Sequence, residues 1–253
     1  MHYIVQENVF KEENYNNLIK ALDRFNLSYE IVKVLPFIET IDFKYKGLDV
    51  FPFGSLKMAR ISQNLGWYPG SQMNENHDYL VYKDYYKEEL LNYDSKIYKF
   101  GDDFFSKELF FARPTKDTKV FTGRVFDMKE WREFRENALK DRDSNIFNKN
   151  TEIQISSVKN IQQEIRCWIV KGNIITTSQY KLGGRYCLSD IIDKSALDYC
   201  KRMVDIFQLN EAFVMDICLV DNKYKIVECG CINCAGFYKA DLQKLLMSIE
   251  LTF

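Results

Sequence analysis

Histidine is almost missing from this chain of 253 residues: there are two, alongside four prolines and eleven glycines. So few imidazoles leave little room for histidine-based catalysis, and both His2, at the terminus, and His77, in the polar stretch NENHD, read as solvated side chains. No apolar run approaches the roughly 20 residues of a membrane span. The start MHYIVQENVFKEENYN has no basic end followed by an apolar stretch, so a cytoplasmic location is expected. Net charge is also lacking: 35 Lys and Arg stand against 36 Asp and Glu, which argues against a globally basic nucleic-acid binder, although a local patch is averaged away in that sum. The seven cysteines are odd in number and lack the paired spacings of a secreted scaffold, which favours reduced thiols. Internal repeats and low-complexity segments are absent too.

What remains is 46% hydrophobic and 28% charged, enough for a substantial core and two lobes. HYIVQE reads as a strand, and EENYNNLIKALDRFNL as a helix with Leu18, Ala21, Leu22 and Phe25 at helical spacing. YEIVKVLPF and GLDVFPFGS add strands, and SLKMARISQNLGW a helix ending near Gly66, so the first 75 residues form an α/β lobe of parallel-sheet type. A polar linker with one helix follows. Beyond it the pattern turns to paired strands: KELFFARP, KVFTGRVF, then a helix opened by Asp127 with Glu130 at capping-box spacing. TEIQISS, EIRCWIV and IITTSQYK read as strands, SALDYCKRMVDIFQLN as an amphipathic helix, AFVMDICLV and YKIVECG as a hairpin, and DLQKLLMSIEL as a closing helix.

Three places carry candidate chemistry. With a three-residue turn Asp221-Asn222-Lys223, the late hairpin sets Val220 opposite Tyr224, Cys218 opposite Ile226 and Asp216 opposite Glu228. Like charges so placed repel each other. A cation between them resolves this, and oxygen donors suit Mg²⁺, with Asn233 as a further carbonyl donor. Surface carboxylates are the alternative, and a one-residue change of turn reverses the face. Cys229, Cys231 and Cys234 offer a rival soft-metal site, disfavoured because three thiolates lack a fourth ligand. Second, FFARPTKDTKVFTGRVF brings Arg113, Lys116 and Lys119 around a turn, either as a phosphate cradle or as a solvated basic turn. Third, a two-residue turn at Gly172-Asn173 sets Glu164 opposite Lys181 and Arg166 opposite Gln179, as a lined cleft or as exposed cross-strand ion pairs.

The order of RPTKDTKVFTG, PFGSLKMARISQNLGWYPG, LLNYDS, EIRCWIVKGNIITTSQYK and NCAGFY resembles the ATP-grasp superfamily, in a phage- and bacteria-associated subgroup with R-P-x-x-x-(S/T)-K-x-F-x-G. The resemblance implies an α+β fold in which two subdomains, about 105–150 and 151–253, clasp ATP after an α/β lobe (1–75) and a linker with one helix (76–104). It implies that Arg113 and Lys119 contact ATP phosphates, with Lys116 beside them as a further nucleotide-binding residue, that Glu164, Arg166 and Lys181 line the nucleotide and acceptor cleft, with Arg166 and Lys181 as catalytic groups, and that Asp216, Glu228 and Asn233 bind Mg²⁺. The activity it implies joins a carboxylate to an amine, on small-molecule or peptide substrates. A nucleotidyl-transferring or nucleic-acid-end ligase and a non-catalytic nucleotide-binding module are the alternatives. One departure stands out: where many ATP-grasp enzymes have Glu-x-Asn, Glu228 is followed by Cys229 and Gly230, leaving Asn233 as the nearest asparagine.

Overall fold

The computed structural model describes residues 1–7, 9–35, 38–116, 121–140 and 148–253. The fully buried strand β1 (His2–Gln6) lies between β2 (Ser28–Val32) and β3 (Asp49–Phe53), with β4 (Tyr68–Pro69) beyond β3, all parallel. Helix α1 (Glu12–Arg24) crosses from β1 to β2 and buries Leu18, Ala21 and Leu22, the stripe its sequence spacing predicts. Helix α2 (Leu56–Leu65) is capped by the Ser55 hydroxyl, which accepts from the Met58 amide. It stops where Gly66 turns left-handed at φ 69°.

After α3 (Tyr79–Tyr86) comes a four-stranded antiparallel sheet in the order β5-β8-β6-β7, built from β5 (Lys96–Lys99), β6 (Phe110–Pro114), β7 (Arg124–Phe126) and β8 (Glu152–Ser157). Helix α4 (Met128–Lys140) covers it, sinking Trp131 among Phe100, Phe110 and Phe126. Asp127 Oδ1 accepts from the amides of Lys129 and Glu130, and Glu130 returns a carboxylate to the Asp127 amide, the expected capping box. Two boundaries move. β5 lies inside the stretch read as linker, and β8 in the stretch assigned to the last subdomain, yet they are neighbours in this sheet. Pairing between distant segments is not local information.

The second sheet is antiparallel, in the order β11-β10-β9-β12-β13: β9 (Gln163–Val170), β10 (Asn173–Leu182), β11 (Arg185–Ser189), β12 (Ala212–Val220) and β13 (Lys223–Cys231). Ile165, Cys167 and Ile169 of β9 and Phe213, Met215 and Ile217 of β12 pack on one face with α3 and α5 (Lys194–Ile206). On the other face Trp168, Val170 and Val214 join α1, β1 and β3 through α6 (Leu242–Thr252), so the first lobe and this sheet share one core. Glu164, Arg166 and Asp216 lie on that face beyond the apolar end, and this break in the alternation is where a cleft opens. No helix among the described residues is long and apolar enough to cross a membrane.

His77 is not solvated. It is 3% exposed, its Nδ1 lies 3.0 Å from Asn74 Oδ1, and burial pushes its pKa down to about 4. The unfolded chain therefore takes up a proton near pH 6.5 that the native protein refuses until about 4. Stability should be full above pH 6.5 and fall on acidification across that window, by on the order of 3 kcal/mol. Urea midpoints measured between pH 7 and 4 should fall less steeply for His77→Gln than for the unaltered chain. Parallel curves would exclude His77 as the cause.

Candidate active site

Two hairpins set the site, and both reach it by bulges. The β12–β13 turn is Asp221-Asn222, two residues with φ 47° and 60°, not the three residues expected. That turn alone would bring Val227 opposite Asp216. A bulge between the Asp216 and Ile217 pairings absorbs Val227, so Asp216 does face Glu228, while Cys218 faces Lys225 and Val220 faces Lys223. The β9–β10 turn is Lys171-Gly172, with φ 48° and 74°, one residue earlier than expected. Two register shifts follow. Glu164 is opposite Lys181 as anticipated, but Arg166 pairs with Ser178 and not Gln179, and Tyr180 is the extra residue of the second bulge.

These strands form the floor of a cleft of about 750 Å³; β6, β7 and the end of β8 form its roof. Lys181 Nζ lies 2.8 Å from Glu164 Oε1. Arg166 grips Asp216 as a fork, Nε to Oδ1 at 2.7 Å and an Nη to Oδ2 at 2.8 Å. Arg113, from the roof, meets Glu228 of the floor at 2.6 Å, so one ion pair joins the two sheets. The hydroxyl of Tyr180 lies 2.8 Å from Glu164 Oε2 and 3.1 Å from Asp216 Oδ2, linking the two carboxylates. Tyr238 stacks on Tyr180 at 4.7 Å, and the Arg166 guanidinium lies 5.0 Å from its ring centre. Sequence reasoning missed both tyrosines; the bulge that turns Tyr180 inward has no signature in residue alternation.

In the roof, a Cβ on Gly123 would come within 2.6 Å of the Phe111 ring and 3.0 Å of the Arg113 Cβ. Glycine there lets the returning segment lie flat on β6 and Arg113 reach into the cleft. Lys116 lines the same cleft, 3.9 Å from Asp78. Lys119, also expected at the phosphates, lies outside the described residues.

Burial pushes the Asp216 carboxyl up against the pull of Arg166, with the Glu228 charge adding to the rise. Burial also works against the Arg166 charge, and there Asp216 outweighs it, holding the guanidinium above its ordinary value. Asp216 and Glu228, two carboxylates facing each other across β12 and β13 and each engaged by an arginine, are a donor set that fits Mg²⁺, which is held by one or two carboxylates and by substrate phosphates. Asn233 does not belong to it. Its amide is 1% exposed and fully used: Nδ2 donates to the Pro52 and Gly70 carbonyls, and Oδ1 accepts from the Gln72 amide and the Cys231 thiol. It ties the end of β13 to the first lobe. Cys229 is buried against α3 and α5, while Cys231 and Cys234 pack with α2. No group of three or more His, Cys, Asp or Glu placed to hold a metal occurs among the described residues.

Two α+β sheets closing on a charged cleft, after a parallel α/β lobe, define the ATP-grasp fold. Residues 62–249 match the model of an ATP-grasp domain family, the third family of its clade, and the chain belongs to that family. No curated protein matches in sequence. Among solved structures the chain is similar to the D-alanine–D-alanine ligase of Bacillus anthracis complexed with ATP, with 16% identity, TM-score 0.64, and 100% of this chain and 97% of that one covered. It is also similar to the ATP-grasp ligase PsnB complexed with minimal precursor (10%, 0.57, 100% and 99%) and to a RimK domain protein ATP-grasp from Sphaerobacter thermophilus (9%, 0.59, 100% and 95%).

Proposed function

We propose that the protein is an ATP- and Mg²⁺-dependent ligase that joins a carboxylate to an amine through an acyl phosphate. The observation that carries this reading is the meeting, in one cleft between two sheets, of Asp216 and Glu228 with Arg113, Arg166 and Lys181. Neutral chemistry has no use for so many opposed charges. Transfer of a phosphoryl group does, because its catalysis is mostly positioning and charge neutralisation.

Arg113, with Lys116 and Lys119, holds the ATP phosphates from the roof, and Glu164 holds the nucleotide from the floor. Arg166 and Lys181 steady the substrate carboxylate while one of its oxygens attacks the γ-phosphorus and ADP leaves. The amine then attacks the acyl carbon, the carbon–oxygen bond to phosphate breaks, and amide, phosphate and a proton are released. Asp216 and Glu228 are the residues that would hold Mg²⁺, which supplies charge neutralisation at the phosphates when bound. No step requires a histidine or cysteine nucleophile. The ligases among the structural neighbours, one of them complexed with a minimal precursor, accord with small-molecule or peptide substrates. The phage- and bacteria-associated placement rests on the order of the RPTKDTKVFTG and NCAGFY segments, and a cytoplasmic site on seven cysteines that are odd in number and lack paired spacings.

Incubating the protein with Mg²⁺, ATP and hydroxylamine across a panel of acids tests the reading, since hydroxylamine intercepts an acyl phosphate as a hydroxamate. ADP, phosphate and hydroxamate in equal amounts are expected. AMP instead points to nucleotidyl transfer, and no nucleotide turnover with any acid points to a binding module.

A further inference from the structure

Beside the nucleotide cleft is a second chamber of about 500 Å³, where the first lobe meets the stretch after β13. Phe10 and Lys11 form one wall, Lys57 and Arg60 on the first turns of α2 another, and Gly236 and Tyr238 the third. Lys11 and Tyr238 line both chambers, so the two adjoin at the Tyr238 ring. That ring is fixed by its stacking on Tyr180 and by a backbone at φ 50°, a conformation a non-glycine residue keeps only when its surroundings hold it there.

Both chambers are lined by more basic than acidic side chains, and they differ in their carboxylates. In the nucleotide cleft Arg113, Arg166 and Lys181 each face a carboxylate. Among the described residues the smaller chamber is lined by three basic side chains, Lys11, Lys57 and Arg60, and by no acidic one. Lys57 Nζ donates to the Leu35 carbonyl at 2.8 Å and forms an ion pair at 3.7 Å with Glu39, which is exposed and does not line the chamber. Arg60 has no acidic partner among the described residues. Unbalanced positive charge in a recess focuses the field and draws an anion from solution, while it repels an ammonium group.

We propose that this chamber seats a second, non-reacting anionic group, a carboxylate or a phosphate, of the substrate that reacts in the neighbouring cleft, with Arg60 and Lys57 as positioning residues. The proposal rests on the ligase reading for what happens to that substrate; the anion site itself stands on the lining charges. The substrate class is thus an acid carrying one more negative group than the reaction consumes.

Calorimetric titration of the protein saturated with Mg²⁺ and a non-hydrolysable ATP analogue tests it, using glutarate, glycerol 2-phosphate and the neutral glutaramide as probes. At least one anion should bind, glutaramide should not, and Arg60→Ala should weaken the anion about tenfold, the loss of one charge-assisted contact, while analogue affinity stays within twofold. The better of the two anions identifies carboxylate or phosphate. Failure of both anions to bind, or equal binding by the Arg60→Ala protein, overturns the proposal. Arg60 is exposed, so the variant folds. The two readings fail separately: Arg60-dependent binding without ADP release from any acid sinks the ligase and keeps the anion site, and ADP release with binding indifferent to Arg60 does the reverse.

Discussion

Replacing Glu228 by Gln should cut turnover at least about 100-fold while Mg²⁺-ATP affinity falls less than about tenfold. Gln keeps the size and one oxygen acceptor, so the contact with Arg113, now 2.6 Å, survives in weaker form and the sheets stay joined. What is lost is one of two negative charges standing opposite each other on β12 and β13. In the proposed function Arg113 faces the ATP phosphates in the ground state, so Arg113→Ala should raise the dissociation constant itself. Steady-state kinetics with nucleotide titration separates the two. Full turnover in the Glu228→Gln protein would remove the metal assignment even though the ATP-grasp fold stands.

Arg166→Met should cost about 3–5 kcal/mol of folding stability. Asp216 is 2% exposed, and the fork from Arg166 is the principal compensation for taking its charge out of water. Tyr180, with one proton, already serves Glu164 and does not replace a guanidinium. The double variant Arg166→Met with Asp216→Leu should recover most of the loss, because it removes both charges and leaves none stranded. Urea denaturation reads both. A single variant costing under about 1 kcal/mol would mean that water reaches Asp216 after all.

Much of this architecture is legible along the chain. The apolar spacing of α1, the Ser55 and Gly66 ends of α2 and the Asp127–Glu130 cap are local features, and local chemistry forms them. The pairing of Asp216 with Glu228 is a subtler case. The expected turn is one residue too long, and the bulge at Val227 restores the partner the longer turn implies. Glu164 and Lys181 meet in the same way, through a shifted turn and two bulges, whereas Arg166 ends one residue from its expected partner. Alternation has a period of two and carries no mark of an inserted residue, so bulges, and the inward turn of Tyr180 with them, are invisible before folding. Asn233 misleads for another reason: a strand-end asparagine offers the same carbonyl oxygen to a metal or to a backbone amide, and only the approach of the first lobe decides for the Gln72 amide. His77 is polar in its neighbours and buried by distant ones.

The most direct test of the nucleotide cleft is thermal unfolding with and without Mg²⁺-ATP. A ligand held only by the native state, at a hundredfold excess over its dissociation constant, stabilises by about 2.7 kcal/mol. For a chain of this length that raises Tm by roughly 5–10 °C. The account predicts such a rise, its loss on adding EDTA, and its reduction in Arg113→Ala. An unchanged Tm at saturating Mg²⁺ and millimolar ATP would contradict it.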